Sequence, residues 1–206
     1  MGFNHFLKRT ITKSQQCNRN WDLSDQIRDA DLETMKTAVA QCSSKQNRVF
    51  YKVLVTQDRD KIEKIHLATK GFTAYAKEGQ PTVTNSQVLA NTLFIFVKDR
   101  DESVRPRTAN EVALGVTEGK TSTDEDRAIG IAAGYLTLTA NLLDYETGCC
   151  QCFNKDALKD ILGIDDEVFL LMGVGIGDKT RNRREHHNDP GFVFPSFKKN
   201  IKVEVI

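Results

Sequence analysis

The sequence has few of the features by which multidomain, nucleic-acid-binding or secreted proteins are recognised. It has 4 prolines among 206 residues, and no stretch rich in proline, glycine and serine separates two domains. The formal net charge is only +1, which argues against a general nucleic-acid binder. The first residues contain no apolar run of signal-peptide length. We therefore expect one soluble, cytoplasmic domain spanning residues 1–206, with no nucleic-acid or membrane partner.

Cysteine is scarce too, but three of the five cysteines lie together at Cys149, Cys150 and Cys152. An odd number grouped in this way fits a reduced protein better than a secreted disulfide framework. The group lacks the two-residue spacer of a usual zinc site, and His186 and His187 are adjacent, so we expect no metal. Two interpretations stay open: a redox pair of Cys149 and Cys150, or packing by small polarizable side chains.

The longest apolar stretch predicts a central helix that begins near Ser122. Ser122 with Glu125 three residues later has the pattern of a capping box. Nearly every residue from 129 to 143 is apolar or small, which predicts a helix buried on all sides. Gly130 and Gly134 each cost about 1 kcal/mol relative to alanine, so we expect another backbone to pack closely there. Polar residues within the stretch and charges beside it argue against a membrane span.

The other segments have patterns typical of single helices and strands. Helices are predicted over 29–42, 58–70 and 155–162, a short helix or turn over 85–91, and strands over 49–56, 93–98, 167–177 and 201–206. Residues 99–120 are expected to form a flap or short helices. The last strand alternates apolar and charged residues, which predicts one buried face. Such a terminal strand needs a partner, and a second subunit could supply it.

Two basic clusters are candidates for binding an anion. Residues 8–13 combine cations with hydroxyl groups, which can hold a phosphate through charge-assisted hydrogen bonds, and the alternative is a solvated tail. Residues 179–187 form the second cluster. A nucleic-acid patch is the less favoured interpretation there, because the protein is nearly neutral and aromatic residues do not interleave with the cations.

Taken in order, these segments resemble the nitroreductase family of flavin mononucleotide (FMN) enzymes over almost the whole chain. The shared features are the basic hydroxyl segment, a helix ending in Ser-Ser-x-x-Asn before a strand, the Ala/Gly-rich central helix, the cysteine turn, and a strand ending in Gly-x-Gly. The resemblance implies an α+β nitroreductase-like fold with a central, mostly antiparallel sheet flanked by helices. It also implies a homodimer, with the C-terminal strand possibly exchanged between subunits.

The resemblance further implies which residues bind the cofactor. The flavin phosphate would be held by the first basic cluster and completed by the second, at Lys8, Arg9, Thr10, Thr12, Lys13, Lys179 and Arg181. The flavin ring would lie near Ser43, Ser44 and Asn47. Its pyrimidine edge would meet Asn85, with Gln87 where the family commonly has a lysine. The turn of Cys149, Cys150 and Gln151 would offer a backbone N–H to flavin N5.

The function implied by the resemblance is flavin chemistry rather than side-chain catalysis, since the cofactor carries the hydride. NADH or NADPH would reduce FMN at N5, and a nitroaromatic or quinone-like small molecule would then be reduced in a ping-pong sequence. No catalytic side chain is expected. The alternatives are a flavin-holding or scaffold protein without turnover, and a specialised flavin reductase of the dehalogenase or flavin-cleaving type.

Overall fold

The computed structural model describes residues 2–71, 83–99, 109–113, 122–196 and 201–205. Most of the irregular stretch 73–84 and of the predicted flap 99–120 lies outside the described residues. The helices are α1 (Phe3–Ser14), α2 (Asp29–Ala40), α3 (Arg59–Leu67), α4 (Ala109–Ala113), α5 (Ser122–Leu142) and α6 (Lys155–Leu162). The strands are β1 (Trp21–Asp22), β2 (Tyr51–Thr56), β3 (Thr92–Lys98), β4 (Glu146–Cys150), β5 (Val168–Gly177), β6 (Glu185–His186) and β7 (Asp189–Val193).

Strand β5 is the centre of a five-stranded sheet. It pairs with β3, β4 and β1, and β2 pairs with β3 on the far side. All four of these pairings are antiparallel, and β6 and β7 form a separate hairpin. The predicted α+β class with an antiparallel sheet is therefore confirmed.

Strand β3 shows why its sequence is apolar at nearly every position. All seven of its residues are buried. Phe94 and Phe96 belong to the core between the sheet and helices α2 and α5. Leu93, Ile95 and Val97 point the other way, into a second core that contains residues of α3 and α6. Because successive side chains of a strand point to opposite faces, a strand covered on both faces is apolar throughout.

Capping side chains and a glycine mark the ends of α3 and α6 close to the positions that the sequence predicts. The Asp58 side chain accepts a hydrogen bond from the backbone N–H of Lys61 at the start of α3. The Asn154 side chain caps α6 in the same way. Gly163 ends α6 with a φ of 67°, a left-handed conformation that glycine adopts without steric cost. The helix predicted over 155–162 is therefore confirmed together with its two ends.

Helix α5 differs from the prediction in one respect, because one of its faces is not covered. Ile131 is 40% exposed and Tyr135 is 48% exposed. A Cβ atom added at Gly130 or Gly134 would meet no atom of the described residues within 4 Å. The close backbone contact expected at these glycines is thus absent from the described part of this chain. The opposite face carries Ile129, Ala132, Leu136 and Ala140, which are buried in the core with α2.

Two strand predictions need correction. The cysteine segment was expected to be a turn, but Cys149 and Cys150 belong to β4 and pair with Met172 and Leu171 of β5. Residues 201–205 were expected to form a strand, but they have no regular structure and are exposed. Their alternating pattern favours a strand only where a neighbouring strand supplies hydrogen bonds, and the described part of the chain supplies none.

Candidate functional site

A cleft of about 430 Å³ lies where five segments of the chain meet. These are the segment after α1, the residues after α3, the turn before β3, the end of β4 with the residues that follow it, and the residues after β7. The cleft is lined by Arg19, Gly71, Asn85, Gln87, Cys149, Cys150, Gln151, Cys152 and Phe194. Its walls therefore combine a cation, three side-chain amides, three thiols and an aromatic ring.

The two cysteines of β4 differ in exposure, because successive side chains of a strand point to opposite faces. Cys150 is only 2% exposed and packs in the core with Leu158 and Leu171. Cys149 is exposed. A Cβ atom at Gly148 would lie 2.7 Å from the Asn18 carbonyl oxygen and 2.8 Å from the Gln87 Cβ. Only a glycine lets β4 approach both neighbouring segments this closely.

The segment Cys17–Trp21 is held to the sheet by backbone hydrogen bonds. The Asn18 N–H donates to the Thr147 carbonyl at 2.8 Å, and the Arg19 N–H donates to the Arg183 carbonyl at 2.9 Å. The Arg183 guanidinium in turn donates to the Cys17 carbonyl at 2.9 Å. These bonds fix the backbone of Arg19 at the edge of the cleft.

Arg19 is the cation of the cleft, and part of its hydrogen-bonding capacity is unused. Its guanidinium carbon lies 4.4 Å from the centroid of the Phe194 ring, a stacked arrangement that favours a cation. Its Nε is buried without an acceptor in the described residues. Burial lowers the pKa of Arg19, while the neighbouring Cys17 and Cys149 oppose this change. A buried guanidinium with a spare donor is suited to an anion.

Asn85 joins the turn before β3 to the end of β4. Its side-chain oxygen accepts a hydrogen bond from the Gln87 N–H at 3.1 Å. Its side-chain Nδ2 donates to Cys152 Sγ at 3.2 Å. The Asn85 N–H donates to Thr69 Oγ1 at 2.8 Å. The amide is therefore held in one orientation against the thiol.

The four cysteines near Arg19 form two pairs of interacting thiols. The interaction of Cys17 with Cys149 lowers the pKa of Cys17 to about 6 and raises that of Cys149. Cys150 Sγ and Cys152 Sγ lie 3.2 Å apart. The hydrogen bond between these two thiols lowers the pKa of Cys152 and raises that of Cys150. Each pair thus has one thiol that ionises readily and one that resists ionisation.

The structure brings some of the predicted site residues together at this cleft. Asn85, Gln87, Cys149, Cys150 and Gln151 all line it. Ser44 and Asn47 line a different groove of about 460 Å³ between α2 and β2. Ser43, beside them in the chain, is exposed. Within one chain, the Ser-Ser-x-x-Asn segment therefore lies apart from the lining of the cleft.

The basic clusters also lie apart from the cleft lining. Lys8, Arg9 and Thr12 are exposed on helix α1, and Thr10 is buried. Lys13 pairs with Asp144 and Glu146 at 3.3 and 3.8 Å. In the second cluster, Lys179 is exposed, whereas the Arg181 guanidinium donates to the carbonyl oxygens of His186 and His187. Their role at the phosphate stays a prediction.

Arg19, Gly71 and Phe194 are the lining residues that sequence reasoning missed. Arg19 lies in a polar stretch between α1 and α2 that has no helix or strand pattern, and the denser basic run in α1 drew attention away from it. The sequence signal available for Arg19 was its position between two asparagines, in a tripeptide that directly precedes the only tryptophan of the sequence.

The described residues include no group of three or more His, Cys, Asp or Glu side chains placed to hold a metal ion. No described helix has both the length and the apolar character that crossing a membrane requires.

The Nitroreductase family model matches residues 13–177, and the chain therefore belongs to the nitroreductase family. The matched region contains most of the cleft lining, from Arg19 to Cys152, and begins after Lys8, Arg9, Thr10 and Thr12. No curated protein matches the chain.

Solved structures with the same fold agree with this assignment. A nitroreductase family protein from Clostridium novyi NT is 18% identical and superposes with a TM-score of 0.65, covering 91% of this chain and 96% of its own. A protein from Desulfovibrio desulfuricans solved in complex with FMN has 13% identity and a TM-score of 0.62, covering 85% and 91%. A Staphylococcus epidermidis protein named for NAD(P)H:FMN oxidoreductase activity has 15% identity and a TM-score of 0.61, covering 84% and 87%. The predicted nitroreductase fold is thus confirmed.

Proposed function

We propose that this protein is an FMN-dependent oxidoreductase that uses NADH or NADPH to reduce nitroaromatic or quinone-like acceptors. The observation that carries the proposal is the cleft around Arg19, where a buried guanidinium nitrogen has no acceptor among the described residues. Family membership supports the assignment. So do the FMN complex of the Desulfovibrio relative and the name of the Staphylococcus relative.

The groups that line the cleft fit the chemistry of FMN. Its phosphate is an anion, and Arg19 offers a charge-assisted hydrogen bond to a negatively charged group. The amides of Asn85 and Gln87 are suited to the polar edge of a flavin ring, since each carries both a donor and an acceptor. The segment from Cys149 to Gln151 offers backbone N–H groups, which do not depend on side-chain identity.

The chain itself would bind and orient, because FMN when bound supplies the acceptance and donation of hydride. Arg19 would bind the negatively charged phosphate of the cofactor. Asn85, whose side chain is hydrogen-bonded to Gln87 and Cys152, would position the edge of the flavin ring. Phe194 would exclude water from one wall. The exposed side of the cleft would admit the nicotinamide and the acceptor in turn.

Titration of the purified protein with FMN, followed by anaerobic mixing with NADH and with NADPH, tests the proposal. We expect saturable FMN binding and bleaching of the bound flavin by at least one nicotinamide. Bound flavin that neither nicotinamide bleaches would favour a flavin-holding protein without turnover. A protein that takes up no FMN would contradict both functions.

We also propose that the protein is a homodimer in which a second copy covers the exposed face of α5. No atom in the part of the chain that the structure describes lies within 4 Å of a Cβ added at Gly130 or Gly134, and Ile131 and Tyr135 beside them are 40% and 48% exposed. Two glycines one helical turn apart let another backbone approach closely. A second copy would also give residues 201–205 a strand to pair with, and it could bring Ser43, Ser44 and Asn47 to a neighbouring cleft.

Substitution of Gly134 by leucine tests the dimer. The added side chain meets nothing in the described chain, so each subunit should keep its fold while the close approach is blocked. We expect monomers in sedimentation analysis, with an unchanged circular dichroism spectrum. Asp160→Leu adds the same side chain to an exposed position of α6 and should leave the dimer intact. A Gly134→Leu protein that stays dimeric would exclude α5 as the interface.

A further inference from the structure

Strand β4 separates the adjacent cysteines, and this changes which thiols can react together. Cys149 and Cys150 point to opposite faces of the strand. Cys150 instead faces Cys152, at an Sγ–Sγ distance of 3.2 Å. The sulfur atoms of a disulfide are about 2.05 Å apart, so bond formation needs an approach of only about 1 Å. The geometry therefore favours Cys150 and Cys152 over the vicinal pair.

The two thiols of this pair differ in access. Both cysteines line the cleft, but Cys152 is exposed whereas Cys150 is buried. The Cys152 carbonyl accepts a hydrogen bond from the Lys70 N–H at 2.6 Å, which holds the backbone of Cys152 in place. An attacking thiol must be reached by its substrate, while a second thiol only has to reach the first.

Two donors surround Cys152 Sγ, and both favour its thiolate form. The Cys150 thiol is one, and the Asn85 Nδ2 at 3.2 Å is the other. Together with the charge of Arg19 they lower the pKa of Cys152 to about 6. Thiolates rather than thiols are the nucleophiles of exchange reactions. Cys152 is therefore the attacking group at neutral pH.

We propose that Cys150 and Cys152 form a dithiol site that reduces low-molecular-weight disulfides. The Cys152 thiolate attacks one sulfur of the disulfide, whose S–S bond breaks and releases one thiolate, which takes up a proton. Cys150 then loses its proton to solvent and attacks Cys152 Sγ, releasing the second thiolate. The substrate disulfide is reduced to two thiols, and the two cysteines are oxidised to one disulfide.

The test uses reduced protein without added flavin, so its result does not depend on the proposed FMN chemistry. Oxidised glutathione is added, free thiols are counted, and the products are mapped by mass spectrometry. We expect the five free thiols of the chain to fall to three, with the new bond between Cys150 and Cys152. Cys150→Ser and Cys150→Ala should stop at a glutathione adduct on Cys152.

Cys152→Ser should form no such bond and no adduct at Cys150. Cys42→Ser, which removes a thiol of the groove between α2 and β2, should behave as the wild type does. A bond mapped between Cys17 and Cys149 would overturn the proposal. So would loss of two thiols in Cys152→Ser, or five free thiols remaining in the wild type while a dithiol reference peptide is oxidised.

Discussion

The cleft around Arg19 and the groove between α2 and β2 have similar volumes, about 430 and 460 Å³, but differ in how their buried polar atoms are paired. The buried side-chain atoms without a hydrogen-bond partner in the described residues belong to Asn18, Arg19, Asn20, Arg59, His66 and Ser86. Arg19 lines the cleft, and none of these six residues lines the groove. In the groove, Ser44 Oγ donates to the Arg48 carbonyl at 2.7 Å, and Tyr51 Oη donates to the Val39 carbonyl at 2.6 Å.

This difference separates a candidate binding site from a surface that needs only to be covered. Buried polar groups are nearly always hydrogen-bonded in folded proteins, so a concentration of unpaired ones points to a ligand or a special electrostatic role. None of the residues that line the groove carries such an unpaired atom among the described residues. Volume alone would not have distinguished the two. The following predictions test the distinction, beginning with the largest expected effect.

His66 should make the stability of the protein strongly dependent on pH. Its side chain is 4% exposed, and a carboxylate oxygen of Glu63 is 3.8 Å from Nδ1. Burial, with smaller contributions from His186, Arg59 and His187, lowers the pKa of His66 from 6.5 to about 4. The unfolded chain therefore binds a proton that the folded chain does not, so stability is lost as the pH falls from about 6.5 to 4.

The full loss is on the order of 3 kcal/mol, because one pKa unit corresponds to about 1.4 kcal/mol. Chemical denaturation at pH 7 and pH 5 measures most of it. His66→Leu cannot be protonated and should lose clearly less stability over this range. His5→Gln, on the exposed surface of α1, should behave as the wild type does. An unchanged pH dependence in His66→Leu would contradict the prediction.

Arg19→Ala should weaken FMN binding about 10- to 100-fold, since a lost charge-assisted hydrogen bond corresponds to about 1.5 to 3 kcal/mol. Fluorescence titration with FMN measures the change. The affinity of Arg19→Ala should also depend less on salt, because the screened charge pair is gone.

Arg9→Ala is the matched control for this prediction, because it removes an arginine that the basic run of α1 pointed to. Arg9 is exposed and lies before the region matched by the family model. If Arg19 holds the phosphate, Arg9→Ala should change FMN affinity little, whereas the phosphate site implied by the family resemblance predicts weaker binding. If Arg9→Ala weakened binding as much as Arg19→Ala, the phosphate would lie near α1 in the assembled protein, as the sequence first suggested.

These two arginines also show what sequence patterns can and cannot reveal. Helices α2 and α6 and strands β3 and β5 were predicted because local periodicity and capping residues determine them. Asn85 and the Cys149–Gln151 segment were identified through the family resemblance. Arg19 was missed, because its place depends on backbone hydrogen bonds to Thr147 and Arg183, which are more than a hundred residues away.

Strand β4 was missed for a related reason. Its five residues include a glycine and two cysteines, a composition with little intrinsic strand preference. It forms because β5 offers a long edge and because Gly148 allows Asn18 and Gln87 to lie close by. The reverse holds for residues 201–205, where a clear alternating pattern finds no partner within the described chain. Whether such a short segment forms a strand depends on pairing with a neighbouring strand more than on its own sequence pattern.

Tyr51→Phe should have the smallest effect and should leave the cleft untouched. The Tyr51 hydroxyl donates to the Val39 carbonyl at 2.6 Å and lies 3.0 Å from Cys42 Sγ. Its removal should cost about 1 kcal/mol of unfolding free energy, which is typical of a lost hydrogen bond. Urea denaturation measures this, and FMN affinity should stay the same. Weakened FMN binding at unchanged stability would mean that the groove takes part in binding the cofactor, and the contrast between the two cavities would no longer hold.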